Sequence, residues 1–445
     1  MATVAERHET LRAEQERFAR AGSAAPAALR ALRAAGAARF DALGLPTTRL
    51  EDWRFTNIAP IAATGFRLAG EDAAGAPALV DAVGVEAAAR VVVVNGRFAP
   101  ALSTLGGLAP HVRVQGLAAA LAADPAAVTA RLDIPDTDHA FIALNTSFLE
   151  DGLHIEVAPE AVVEGFVHLI YVTTASDAPV MTHPRTLIVA GARSRLRLAQ
   201  SFVGAGGAVY LTNTVTDVML GDGAFVDIVT DQREAATAFH VAALRVDCGA
   251  ASEFHSRAFT LGGRIVRNDL LARLGGEGAH VTLDGVYLGD DHQLIDNHTS
   301  IDHAMPHCTS HELYKGILDD HARAVFNGRI VVRLDAQKTD AKQTNRALLL
   351  ADTAQINSNP QLEIFADDVK CTHGAAVGQL DDEAMFYLQA RGLPYVEARD
   401  MLLHAFAGEV LQGIAHAPLR AAVEAALFER LERDLARHDA VEGRR

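Results

Sequence analysis

From about residue 152 to 380 the chain repeats one kind of unit, a short strand-like run closed by a turn. The runs include 154–157, 167–172, 195–198, 225–229, 244–246, 281–283 and 330–334. Many follow a Gly-Ala turn: Gly191-Ala192, Gly223-Ala224, Gly249-Ala250 and Gly278-Ala279 recur at regular but unequal intervals. No helix-length amphipathic stretch intervenes, and strands without crossover helices argue against a doubly wound sheet. A repeat of this length fits a solenoid in which each coil buries its apolar edge on its neighbours. A β-sandwich satisfies the same periodicity, so the repeat alone leaves both architectures open.

The flanks read differently. Residues 1–43 are helical in pattern, with Leu29, Leu32, Ala35, Arg39 and Phe40 near one face. Gly44 is a stop signal and Pro46 prevents continuation. Trp53, the one tryptophan, reads as a packing anchor for the N-terminal segment rather than a ligand group. Residues 69–90 are rich in Ala and Gly and are expected to form a loop or linker, followed by a buried strand over 91–98 that turns at Asn95-Gly96. A helix is expected over 117–132. Beyond 382 the strand pattern ends. Helices are expected over 384–391 and 397–415, with Leu402, Leu403, Phe406, Val410, Leu411 and Ile414 on one broad face. After Pro418, Leu419, Val423, Leu427, Leu431 and Leu435 recur at every fourth position. That stripe must cover either the end of the solenoid or another protein. The expected division is a helical and mixed region over 1–150, a strand core over 151–380 and a helical domain over 381–445.

With 445 residues the chain can bury a substantial core. No apolar run approaches the ~18 to 20 residues that span a bilayer. Residues 1–20 alternate charges and contain no apolar h-region, so no secretory signal is expected. Cys248, Cys308 and Cys371 are too few and scattered for a disulfide framework, and the cytosol is the expected compartment. A formal charge of −16 argues against a nucleic-acid surface, which needs a basic footprint. Gly204-Ala-Gly-Gly207 lacks the lysine and hydroxyl of a phosphate loop, and no nucleophile elbow is present.

Two stretches carry ligand chemistry. In 369–374, Val369, Cys371 and His373 share one strand face, because side chains two apart point the same way. A thiol and an imidazole so placed suit a metal or sulfur site. They equally suit a small core hydrophobe beside a satisfied polar group at a turn. In 296–312, His298, His303, His307 and His311 join Cys308, Asp296, Asp302 and Glu312. Alternation sends Asp302 and His303 to opposite sides and Pro306 bends the chain, so this cluster reads as polar lining of coil turns rather than one metal site. Lys338, Asp340 and Lys342 read as charges on a solvated or interface-facing strand.

Beyond these properties, specific words of the sequence resemble a known family. Asp302-His303-Ala-Met-Pro306, Glu312-Leu-Tyr-Lys315-Gly316, Phe326-Asn327-Gly328, Gln337–Asn345, Asn357–Glu363 and Lys370-Cys-Thr-His-Gly374 all resemble the SufB/SufD family of iron–sulfur cluster assembly scaffolds. So do Gly44-Leu-Pro-Thr47 and Glu51-Asp-Trp-Arg-Phe-Thr56. Gly374, where the SufB branch usually carries an acidic residue, favours the SufD branch; Ala376 stands where the family pattern expects Thr. The resemblance implies a mainly β chain: a right-handed parallel β-helix flanked by N-terminal α-rich and C-terminal helical domains. It implies a non-catalytic scaffold that pairs with a SufB-like paralogue and docks a SufC-like ATPase on the outer face of the 382–416 helices. An isolated chain is expected to form a homodimer in place of the heterodimer. His373 matches the family's interface histidine and is the candidate metal ligand, with Cys371 beside it. No permanently bound cofactor is implied; iron or a nascent cluster is transient cargo at the SufB–SufD interface. The rival readings are a carbohydrate-active β-helix enzyme and a self-associating structural protein without metal chemistry.

Overall fold

The computed structural model describes residues 4–22, 24–106, 108, 111–132 and 138–442, with backbone alone for 4–9 and 433–442. Its core is a parallel β-solenoid of about eight coils. Each coil gives one strand to each of two sheets. Sheet A stacks Gly152–Val157, Arg185–Ala190, Tyr210–Leu220, Phe239–Cys248, Ile265–Leu274, Leu294–His303, Arg323–Val332 and Gln355–Ile364. Sheet B stacks Val167–Thr173, Arg195–Gly204, Phe225–Gln232, Glu253–Thr260, His280–Gly289, Thr309–Leu318, Asp340–Leu349 and Lys370–Gly378.

Alternation sends every second side chain between the sheets, where register stacks it on its counterpart one coil away. One such column runs Leu196, Val226, Phe254, Val281, Ser310, Ala341, Cys371. The aliphatic and aromatic members are fully buried, which is what a solenoid interior requires. The turn entering sheet B carries a second stacked feature. Arg193, Gly223, Ala251, Gly278, His307 and Lys338 all have positive φ, between 50° and 71°. Each of their amides donates to a carbonyl of the next coil, as Gly223 N does to Ala250 O at 2.8 Å. Glycine suits this left-handed position best, and it holds two of the six. The Gly-Ala pairs therefore occupy two different places in the turn. Gly223 and Gly278 take the left-handed place, whereas Gly191 and Gly249 fall two positions before its counterparts Arg193 and Ala251. That offset explains why the Gly-Ala pairs are unequally spaced.

Elements before residue 150 close one end of the solenoid. Ala89–Val94 adds a parallel strand to sheet B, and Val112–Gly116 an antiparallel one to sheet A. Asn95 and Gly96, both at positive φ, make the expected turn into Arg97–Phe98. The 69–90 stretch is not simply a loop: it contains the helix Ala76–Val83, whose Val80 and Val83 pack on Val92 and Ile170. The 117–132 helix is two helices, Leu117–Ala123 and Pro125–Leu132, interrupted at Asp124 where proline follows. Gly36, rather than Ala35, lies on the buried face of Ala27–Leu43. A Cβ there would meet Ser147 N at 2.8 Å, so glycine permits close packing on Ala140–Ser147.

The outer faces are clothed from the two ends of the chain. Phe40, Trp53, Ile58, Ile61, Phe66 and Phe141 cover sheet A over Met181, Leu211, Phe239, Val241 and Ile265. Helices Tyr395–Leu411 and Ala417–Glu442 cover sheet B, where Leu403, Val410, Leu419, Val423, Leu427 and Leu431 pack on Val229, Phe259, Val286 and Ile317. The stripe of leucines thus covers the side of the solenoid rather than its end; the side chain of Leu435 lies outside the described residues.

Candidate functional site

The last coil has no counterpart to the strands that close the first. Gln355–Ile364 and Lys370–Gly378 are the outermost strands of their sheets, and among the described residues no strand pairs with their free edges. The burial pattern follows: Lys370–Gly378 is exposed along its length except at Cys371, which is half-buried. Leu334, Ile364, Phe365 and Val377 are exposed in these last coils, at 65%, 41%, 58% and 50% of their surface. Such an edge, with its row of free backbone donors and acceptors, is a template for pairing with another chain.

Cys371 and His373 stand in this strand. Cys371 continues the interior column over Ala341, and with Val369 it packs against the solenoid core. His373 continues the next column, over Gln343 and Glu312. Gln343 Nε2 donates to Glu312 Oε2 at 2.7 Å, and both residues are buried. His373 itself is exposed, since no coil lies above it. Burial raises the Cys371 thiol above its ordinary pKa, outweighing its hydrogen bond with the Ala341 backbone. It is therefore a neutral thiol until a metal displaces the proton. A thiol and an imidazole are two soft-to-borderline donors, whereas a closed tetrahedral site needs four. Cys371 and His373 together supply two of those four donors.

The members of the 296–312 cluster do not converge. Asp302 faces out and pairs with Arg333 at 2.8 Å, while His303 faces in and meets Ser310 Oγ at 2.9 Å. Burial takes the His303 imidazole down to about 4. Cys308 is enclosed in the core, its thiol donating to Gly276 O, and His311 is exposed on the outer face of sheet B. Lys338 lies in a turn at φ 62° and pairs with Asp368; Lys342 pairs with Asp340.

Two features escaped the sequence reading. The first is the desolvation of Glu312, a residue already named in the 296–312 cluster: burial pushes its carboxyl up to about 7, only partly opposed by Thr299 and Gln343. Arg267 is the second. It is fully buried and donates to Asp269 at 2.8 Å, Asp296 at 2.7 Å and the Asp52 carbonyl at 2.6 Å. Its guanidinium lies 3.9 Å from the Trp53 ring centre, and Thr56 Oγ1 donates to Asp296 at 2.5 Å. The Glu51–Thr56 word is thereby fastened to sheet A. Beside it, Arg54, Phe55, His298, Asn327, Asn357 and Asn359 line a cavity of about 450 Å³.

Comparison with known proteins decides the family. A profile described as "SUF system FeS cluster assembly, SufBD core domain" matches residues 171–406. A second, "SufBD protein N-terminal region", matches residues 4–169. The chain belongs to the SufBD family. It is similar to the iron–sulfur cluster assembly protein SufD of Escherichia coli, at 30% identity over 87% of this chain and 90% of that protein. It is also similar to an iron–sulfur cluster assembly SufBD family protein of Synechocystis sp., at 32% identity over 85% of this chain and 86% of that protein. A SufD of Bacillus subtilis is 27% identical over 62% of this chain and 63% of that protein. This membership, with the β-solenoid, gives the chain a role in SUF iron–sulfur cluster assembly. No described helix is long and apolar enough to cross a membrane.

Proposed function

We propose that the chain is a non-catalytic cytosolic scaffold of the SUF system, pairing through its last coil with a SufB-like paralogue and docking a SufC-like ATPase on its C-terminal helices. The observation that carries the reading is the open end: two unpaired edge strands, exposed apolar side chains, and a Cys371–His373 pair one partner short of a ligand set. Edge-to-edge pairing would continue both sheets into the partner and bury Ile364, Phe365 and Val377. Iron or a nascent cluster is then cargo held at the joint, with His373 as a neutral imidazole ligand for Fe²⁺ and Cys371 as an auxiliary donor. No cofactor resides permanently on the chain. Without its paralogue the same edge favours a homodimer.

The ATPase surface is supported by a second apolar patch. Phe386, Tyr387, Tyr395, Val396 and Met401 are exposed at 73%, 55%, 53%, 45% and 49%. They lie on Asp382–Gln389 and the first turns of Tyr395–Leu411, while the opposite side of the second helix packs inward through Leu403, Ala407 and Val410. Aromatic and Met side chains of this kind are enriched in interface cores. The rival carbohydrate reading shares only the solenoid, which family membership assigns to cluster assembly.

The test is co-expression of the full chain with its paralogue and ATPase, followed by anaerobic reconstitution with iron and sulfide. His373→Ala should leave the complex assembled and lose most of the iron–sulfur absorbance. Unchanged cluster yield in that variant refutes the site, and failure to assemble with either protein refutes the scaffold.

A further inference from the structure

Away from the last coil, the outer face of sheet B gathers a second set of donors. Glu253 opens one strand and His280 opens the next, and the two are register partners. Adjacent strands lie about 4.8 Å apart, so these side chains emerge side by side. His255 follows Glu253 by two positions and emerges on the same face. One ligand atom from each of the three lies within 4.8 Å of the other two. From this geometry we propose that Glu253, His255 and His280 form a binding site for a divalent transition-metal ion of the Fe²⁺/Zn²⁺ class. Two imidazoles and one carboxylate on one face, with the outward side open, are the donor set of facial two-histidine sites.

Three details favour a cation here over a self-contained ion pair. His255 Nε2 lies 2.8 Å from Glu253 Oε1 yet forms no aligned hydrogen bond. Glu253 and the two imidazole rings thus present their donor atoms to one another across a single patch of the sheet. Arg257 is occupied elsewhere, donating to Asp227 at 2.7 Å and lying 3.7 Å from Asp284. The rings are also held in place. Thr309 Oγ1 meets His280 Nδ1 at 2.5 Å, which leaves Nε2, now 3.0 Å from the Thr282 hydroxyl, as the nitrogen to turn toward a metal. That arrangement is the usual outer support of a ligating histidine. Phe225 packs edge-on against His255 at 5.4 Å. The exposed His311 ring packs edge-on against that of His280 at 5.7 Å. Glu253 is 44% exposed and gives the ion its route in. Ligand bonds of 2.0–2.1 Å require donor separations of about 3 to 3.5 Å, which small rotations of these side chains supply.

The site lies three to four strands from His373, about 14 to 19 Å along the solenoid axis. It does not depend on the partner reading, and the test uses the isolated full-length chain without a polyhistidine tag. Co²⁺ is titrated as a spectroscopic probe, with Zn²⁺ and anaerobic Fe²⁺ as competitors, into the parent and into His373→Ala. Both should bind one equivalent at this site with visible ligand-field absorption. His255→Ala, His280→Ala and Glu253→Gln should each weaken that binding at least tenfold, while His373→Ala does not. Equal affinity and stoichiometry in the parent and the three variants overturns the proposal, as does a parent that binds no Co²⁺. If a histidine variant melts below the parent, Glu253→Gln decides alone, because its position is partly solvated. A negative result here leaves cluster assembly at the last coil untouched.

Discussion

Glu312→Gln separates the polar interior beneath His373 from the general acidity of the chain. In the folded protein the Glu312 carboxyl titrates at about 7, chiefly because it is desolvated. Its unfolded value is the ordinary one, about 4.3 to 4.5. The sign follows from that order. The folded state holds the proton more tightly, so the contribution of Glu312 is intact below about pH 4.5 and declines as pH rises through 7. At about 1.36 kcal/mol for each unit of difference, the full loss at high pH is roughly 3 kcal/mol, and about 2 kcal/mol of it falls between pH 5.5 and 8. Glutamine keeps the shape and the acceptor for Gln343 but has no charge to desolvate. Denaturant unfolding at the two pH values, followed by the fluorescence of the single Trp53, gives the parent and variant slopes directly. By the same linkage the parent should lose about 2 kcal/mol more than Glu312→Gln over this interval. Comparing slopes removes the contribution of other raised carboxyls such as Asp284, which burial pushes up to about 6. Identical pH dependence in the two proteins would show that Glu312 is solvated or that its partners already compensate it, and would refute the argument.

Two further outcomes are expected. Arg267→Ala leaves Asp269 and Asp296 buried without their cation and should cost about 3 to 5 kcal/mol, with a red shift of Trp53 emission before global unfolding. Arg267, with Thr56 and His298 at Asp296, outweighs burial and holds both carboxyls below their usual range. Their contribution is present above about pH 4 and is lost on acidification, so the variant should also show a flatter acid limb. Phe386→Asp with Tyr395→Asp should abolish capture of the ATPase in a pull-down while shifting the melting temperature little, because both side chains are more than half exposed. Retained capture would move the docking surface elsewhere. Deleting 382–445 is the poorer test, since it would uncover Val229, Phe259, Val286 and Ile317.

Why some of this was legible and some was not follows from what a repeat encodes. Alternation of period two states which residues share a side of the sheet, and it put Val369, Cys371 and His373 on one face and sent Asp302 and His303 opposite ways. The Gly-Ala turns announced a repeated strand unit, which only the family resemblance turned into a coil, and the C-terminal stripe announced a covering helix. Alternation does not state which residue lies one coil above, because that depends on how much chain each turn consumes. The left-handed turn positions Arg193, Gly223, Ala251, Gly278, His307 and Lys338 are unequally spaced, so no fixed offset predicts the stacking. Glu253 and His280 are a full coil apart in sequence and one strand apart in space. Arg267 and Asp296 are separated by a slightly longer coil and are likewise adjacent. The 296–312 stretch looked dense only because it was read along the chain; across the coils its members face the core, the N-terminal cover and solvent in turn. In a solenoid, then, a chemical cluster is one drawn across the coils, with partners a full coil away. By that measure the Glu253–His255–His280 group is a set of donors that the fold brings together among the described residues, and Cys371 with His373 is a pair that it leaves open at its end.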